Sequence, residues 1–145
     1  MDDHRPIFDR TDGVGADGEQ IALIERHFAI RLPEDYRRFL AGQGSMEGFV
    51  PPAGDYLMLF PVGQLVAINQ AGEIQQRFPG AVAIGSDGSR EMLVYDFRED
   101  PPPLVLLDIT AEGWSAALHQ APSLSDLLER FPRSGWSWDN GSPSG

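Results

Sequence analysis

The sequence predicts one domain that combines α-helices with short β-strands, and three observations carry that expectation. At 145 residues, the chain supplies apolar surface for one core but not for two. Apolar side chains recur at helical spacing near the start, at Ile21, Ile24 and Phe28, and near the end, at Leu124, Leu127, Leu128 and Phe131. The middle instead holds short runs of aliphatic and aromatic residues bounded by turn residues, the pattern of strands. An apolar fraction of 41% with 10% aromatic residues can fill such a core and argues against a disordered chain.

Residues 1–18 contain Asp9, Asp12, Gly13, Gly15, Asp17 and Gly18 with few apolar side chains, and read as a flexible, acidic, glycine-rich arm. The domain proper is expected over residues 19–132. Its first helix starts at Asp17 or Gly18, where Asp17 can cap and Gln20 follows three residues on, and it runs to about Ala29. Pro33 opens a second helix with Glu34 and Asp35 in the first turn, where the helix dipole favours carboxylates; Tyr36, Phe39 and Leu40 form its buried face, and Gly42 and Gly44 end it. Ser45 to Gly54 has the composition of a turn. Tyr56 to Phe60 is a strand closed by Pro61, and Val62, Leu65, Val66, Ile68 and Asn69 suggest a short third helix.

Ala81 to Gly85 and Met92 to Phe97 read as a hairpin, because the connection contains Asp87-Gly88, a pair that accepts the positive φ of a tight turn. Pro101, Pro102 and Pro103 stiffen the link to a further strand at Leu104 to Asp108. A last helix begins at Ser123, with Asp126 three residues on, and presents Leu124, Leu127, Leu128 and Phe131 on one face. Residues 133–145 form a polar tail that holds Trp136 and Trp138.

Charge narrows the function classes. There are 22 acidic residues against 11 basic ones, all arginine, for a net charge of −11. Phosphate backbones are bound by clustered cations, so nucleic acid is not an expected partner, whereas a basic protein would be attracted and steered. No apolar run approaches the length needed to cross a bilayer, and the N-terminus lacks a signal-peptide pattern, so a cytoplasmic location without membrane contact is expected. The absence of cysteine removes disulfides, thiolate metal sites and cysteine nucleophiles.

The remaining motifs do not assemble chemistry. Gly13-Val14-Gly15-Ala16-Asp17-Gly18 matches the dinucleotide pattern in letters, but no strand precedes it. Asp9, Asp12, Asp17 and Glu19 miss the spacing of a calcium loop, and His4, His27 and His119 are scattered. No serine stands in a nucleophile elbow. No catalytic, cofactor-binding or metal-ligating residue is assigned, and no cofactor is expected. The chain reads as a non-enzyme.

The run Glu25-x-x-Phe28-x-Ile30-x-Leu32-Pro33-x-Asp35-Tyr36-x-x-Phe39-Leu40 resembles the opening of the SUKH superfamily, named partly for fungal regulators of cell-wall assembly. Leu59-Phe60-Pro61-Val62-x-x-Leu65-Val66-x-x-Asn69 is similar to its strand passing into a helix that ends near an asparagine, and Ala83-Ile84-Gly85-x-Asp87-Gly88 to its next strand and turn. The resemblance spans Ile21 to Phe131; Gly42-Gln43-Gly44 stands where the family usually has Asn-Gly. It implies an α+β single domain with a mixed, largely antiparallel sheet of about four to six strands flanked by about four helices.

The resemblance also implies a protein-binding role, since bacterial members resemble immunity proteins that neutralise polymorphic toxins. For this chain it implies occlusion of a cognate, basic, nuclease-type toxin. An adaptor role like that of the fungal regulators is the alternative, and an unrecognised hydrolase would require a concave pocket with convergent, perturbed carboxylates. Candidate contacts are Glu47, Asp55, Asp87 and Asp96, placed in loops and at strand ends, together with Trp136 and Trp138.

Overall fold

The computed structural model describes residues 15–50 and 55–138. Among the described residues two helices come first, α1 (Gly18–Phe28) and α2 (Glu34–Gly42), followed by strands β1 (Met46–Val50) and β2 (Asp55–Leu59), then the short helices α3 (Leu65–Ala71) and α4 (Ile74–Arg77). Strands β3 (Ala81–Ser86), β4 (Glu91–Asp96), β5 (Leu104–Asp108) and β6 (Leu118–Ala121) follow, and α5 (Leu124–Ser134) ends the succession. The strands form one sheet in chain order, and each neighbouring pair is antiparallel. The α+β class therefore holds, with the expected mixed sheet antiparallel at every described pairing. Strands β1 and β6 arise where the sequence reading placed turn or connecting segments.

Caps form where local chemistry dictates them. Asp17 accepts from the Gln20 backbone N–H at 2.8 Å while the Gln20 side chain accepts from the Asp17 N–H at 3.1 Å, a reciprocal capping box that opens α1. Ser123 caps α5, accepting from the Asp126 N–H at 3.1 Å. Asp35 in the first turn of α2 accepts from the Ser125 N–H and hydroxyl at 2.8 and 2.9 Å, which ties the starts of α2 and α5 together.

The central strands read as unbroken apolar runs because both faces of the sheet are covered. Alternate residues divide between two cores. Val82, Ile84, Leu93, Tyr95, Leu104 and Leu106 pack with Ile24, Tyr36, Leu40, Leu127 and Phe131 of α1, α2 and α5. On the other face Ala81, Ala83, Met92, Val94, Val105 and Leu107 pack with Ile74 and Phe78 of α4 and its end.

The packed region extends past both expected boundaries. The Ala16 N–H donates to the Leu40 carbonyl at 2.7 Å, and a Cβ on Gly15 would stand 1.9 Å from the Ala41 oxygen, so this close approach requires glycine. Helix α5 continues through Pro132 to Ser134, and Trp136 is buried in the core. The rest of the expected arm, including His4, Asp9, Asp12 and Gly13, lies outside the described residues, as do residues 51–54 and the tail after Trp138.

Candidate functional site

Most of the candidate contacts gather around Tyr56 on β2. The Tyr56 hydroxyl donates to Glu47 Oε1 at 2.8 Å. The β3–β4 turn rests on the same ring: a Cβ on Gly88, at φ +83°, would stand 2.6 Å from Tyr56 Cδ2, so only glycine seats the turn here. Asp87 shapes that turn by accepting from the N–H groups of Ser89 and Glu91 at 2.9 and 3.1 Å. On the opposite sheet face, Asp55 accepts from the Trp136 N–H at 2.9 Å, and the Trp136 indole donates to the Tyr56 carbonyl at 2.8 Å. Glu47, Asp55, Asp87 and Trp136 thus meet at one margin of the sheet.

Two of the six candidates are not presented to a partner. Trp136 is 4% exposed and packs edge-on to Phe131 at 4.7 Å, so it is a core residue; its polar neighbours in sequence concealed a ring that burial favours. Asp96 is 3% exposed and lies at the other end of the β3–β4 pair. Both of its oxygens are occupied by Arg98, through Nε at 2.9 Å, Nη2 at 2.9 Å and the backbone N–H at 3.0 Å. The Arg98 guanidinium in turn lies 4.0 Å over the Trp114 ring, whose Nε1 donates to the Pro79 carbonyl. By contrast, Trp138 is 53% exposed and free to touch another molecule.

Burial alone would raise the Asp96 carboxyl, but the Arg98 donors outweigh it and hold the pKa below the usual carboxylate value. A carboxyl depressed in the folded state contributes stability above the unfolded value, near 3.9, and loses it as pH falls through the folded value. Asp96→Asn is therefore expected to lower stability by about 1–2 kcal/mol at neutral pH, with the gap to the parent closing below about pH 4. Urea unfolding at neutral and acid pH reads this directly, and a gap independent of pH would contradict it.

The sheet face that carries Glu47 and Met58 also holds an open groove of about 480 Å³ between the β3–β4 turn and helices α3 and α4. Glu91, next to Met92 on β4 but on the opposite sheet face, faces Asp108 across the β4–β5 pair. Burial, then the Asp108 and Asp87 carboxylates, raise the Glu91 pKa against the opposing Arg90 charge. Asp108 is lowered, first by the Thr110 hydroxyl at 2.6 Å and then by its backbone N–H at 2.7 Å. Sequence reasoning missed this groove because Met58, Met92 and Ile109 are spaced like ordinary strand residues; Ile109, apolar yet beyond the end of β5, was the available signal. Among the described residues no group of three or more His, Asp or Glu is placed to hold a metal ion, and no helix is long and apolar enough to cross a membrane.

The family model of the SMI1/KNR4 family (SUKH-1) matches residues 15–130, the stretch that contains every element from α1 into α5. No curated protein matches the chain.

Proposed function

We propose, from the premise that this chain belongs to the SMI1/KNR4 family (SUKH-1), that it is a non-catalytic binding domain that acts in the cytoplasm as an immunity protein, covering a basic, nuclease-type toxin. The observation that supports this most is the net charge of −11, with every basic residue an arginine. Several of those arginines are already committed within the chain, Arg98 to Asp96 and Arg90 to Asp108. The field left over steers a cationic surface toward the domain and repels nucleic acid. In this reading the acids stand in for the phosphates that a basic nuclease binds, and inhibition needs only occlusion. Glu47, Asp87 and Trp138 are the contacts favoured among the candidates, because Trp138 is exposed, Glu47 bonds Tyr56 and Asp87 shapes the turn that rests on the same ring.

The groove bears on the hydrolase reading. Its lining is mostly apolar, Glu91 alternates with Met92 along β4 and so belongs to the opposite sheet face, and its neighbour Asp108 is held by Thr110 and Arg90. Paired acid and base groups converging on one buried point are what such catalysis requires, and this arrangement favours a binding surface.

Capture of a basic, nuclease-type toxin by this chain tests the proposal. Binding is expected to weaken at least about tenfold between roughly 50 and 500 mM salt, with loss of toxin activity in the complex. Failure to capture a folded cognate toxin would overturn the immunity reading in favour of an adaptor role.

A further inference from the structure

The groove has two unlike ends. Its floor is apolar, built from Met58, Phe60, Ile68, Ile74 and Met92, with Ala71 on the helical rim and Ile109, 47% exposed, on the far side. At the β3–β4 turn the lining is polar, and Ser86, Ser89 and Arg90 supply it. The depression is preformed. Asn69 clamps the Ala83 backbone from α3, Gly88 seats the turn on Tyr56, and the Arg77 guanidinium donates to the carbonyls of Ile109 and Ala111. Its volume of about 480 Å³ lies within the roughly 300–1,000 Å³ of small-molecule sites.

Strand alternation decides which polar groups an occupant meets. Ser86 pairs with Met58 and Met92 and shares their face, and Arg90 stands opposite Ile109, whose N–H donates to the Arg90 carbonyl. Glu91 and Asp108 belong with Leu93 and Leu106 on the opposite face. The turn end therefore offers donors. The Ser86 hydroxyl accepts from the Gly88 N–H at 2.8 Å and keeps its own proton to donate. Arg90 meets Asp108 at 3.5 Å and the Thr110 hydroxyl at 3.3 Å through Nη2 alone, so its Nε and Nη1 carry no partner among the described residues.

We infer that this groove binds a free small-molecule acid, an apolar chain or ring that ends in one carboxylate. The apolar body covers Met58, Met92 and Ile109 while the carboxylate meets Arg90 and the Ser86 hydroxyl. One cation on an otherwise uncharged face matches one negative group, and the two methionines of the floor adjust to the shape of the chain beside it. The net charge of −11 repels an anionic protein surface far more strongly than a monoanion, which favours a small molecule over a partner's acidic segment. The site goes beyond the toxin-binding reading and does not depend on it.

The test titrates the full chain, isotope-labelled, with octanoate, hexanoate, octanol and octylammonium. Octanoate is expected to shift the amide signals of residues 86–90 and Ile109 and the methyl signals of Met58 and Met92. It is expected to bind at least about tenfold more tightly than octylammonium, although the overall charge of the chain favours the amine. Hexanoate, two methylenes shorter, is expected to bind about tenfold more weakly than octanoate, since each methylene buried contributes up to about fourfold. Arg90→Gln should weaken octanoate about tenfold and leave octanol unchanged, whereas Ala71→Gln, which adds bulk at the exposed rim, should weaken both about threefold. Melting midpoints confirm that each variant folds. Equal binding of octylammonium, shifts confined to another face, or equal losses for octanol and octanoate in Arg90→Gln would overturn the inference. So would tighter binding of a leucine-ended peptide with a free C-terminal carboxylate, which would give the groove to the end of a protein partner. Self-association reversed by octanoate would give it to a second copy and would overturn the inference as well.

Discussion

Replacing Asn69 with alanine is expected to cost about 3 kcal/mol or more of folding stability, although no charge and little apolar surface is lost. Pairing between β2 and β3 ends at Leu59 and Gly85, with one further bond from the Phe60 N–H to the Ile84 carbonyl. Beyond that point the edge of β3 away from β4 has no strand partner, and there the backbone of Ala83 faces α3. The Asn69 side chain supplies the missing partner: its Oδ1 accepts from the Ala83 N–H at 2.9 Å and its Nδ2 donates to the Ala83 carbonyl at 2.9 Å. The same amide donates to the Leu65 carbonyl at 2.8 Å and accepts from Gln75 Nε2 at 3.0 Å, and Gln75 continues the pattern by donating to the Ala81 carbonyl.

Asn69 is fully buried, so truncation strands a donor and an acceptor away from water, at about 1–3 kcal/mol each. Asn69→Asp is expected to be no better at neutral pH, because a carboxylate cannot donate to the two carbonyls and repels them. Urea unfolding of the three proteins measures this; a loss below about 1 kcal/mol for alanine would show that the amide is not serving as a strand partner.

The second large effect is expected at Trp136, outside the segment that the sequence marks as structured. Trp136→Ala removes a ring packed on Phe131 and the indole donor to the Tyr56 carbonyl, for a loss of about 3–5 kcal/mol. Trp136→Phe keeps most of the apolar contact but leaves the Tyr56 carbonyl without its indole partner, and should cost about 1–2 kcal/mol. If Trp136→Ala unfolded at the same urea concentration as the parent, the tail after α5 would be an appendage and not a part of the core.

These two residues show where local sequence stops informing. Caps and the hairpin turn were legible because their chemistry is contained within a few residues, as between Asp17 and Gln20 or within Asp87-Gly88. The family resemblance drew attention to Asn69 as a helix-ending residue, but its partner Ala83 is 14 residues away and nothing in the intervening chain announces the bond. Trp136 finds Tyr56 across 80 residues, from between Gly135 and Ser137, neighbours typical of a loose tail. Strand β1 contains Gly48 and follows glycines, so its own propensity is weak, and it is drawn into the sheet by pairing with β2. Four-residue β6 includes His119 and Gln120, and Arg130 fixes it by donating to the Gln120 carbonyl.

The same logic sorted the acidic candidates. Position in loops and at strand ends picked out Glu47, Asp55 and Asp87 one by one, yet could not reveal that Asp96 is sealed by an arginine two residues on. What the sequence did convey about function lies in properties that do not depend on register, the net charge and the family pattern from Glu25 to Leu40. The groove, which depends on how α3, the β3–β4 turn and Ile109 meet, required the fold.

Binding by occlusion and turnover by an enzyme differ most sharply in stoichiometry. Titrating the cognate toxin's activity with this protein should give a straight decline to zero at one equivalent, reached at once and reversed by high salt. Progressive loss of activity at a small fraction of an equivalent, persisting after the salt is raised, would mean that the protein chemically alters the toxin and would contradict the account.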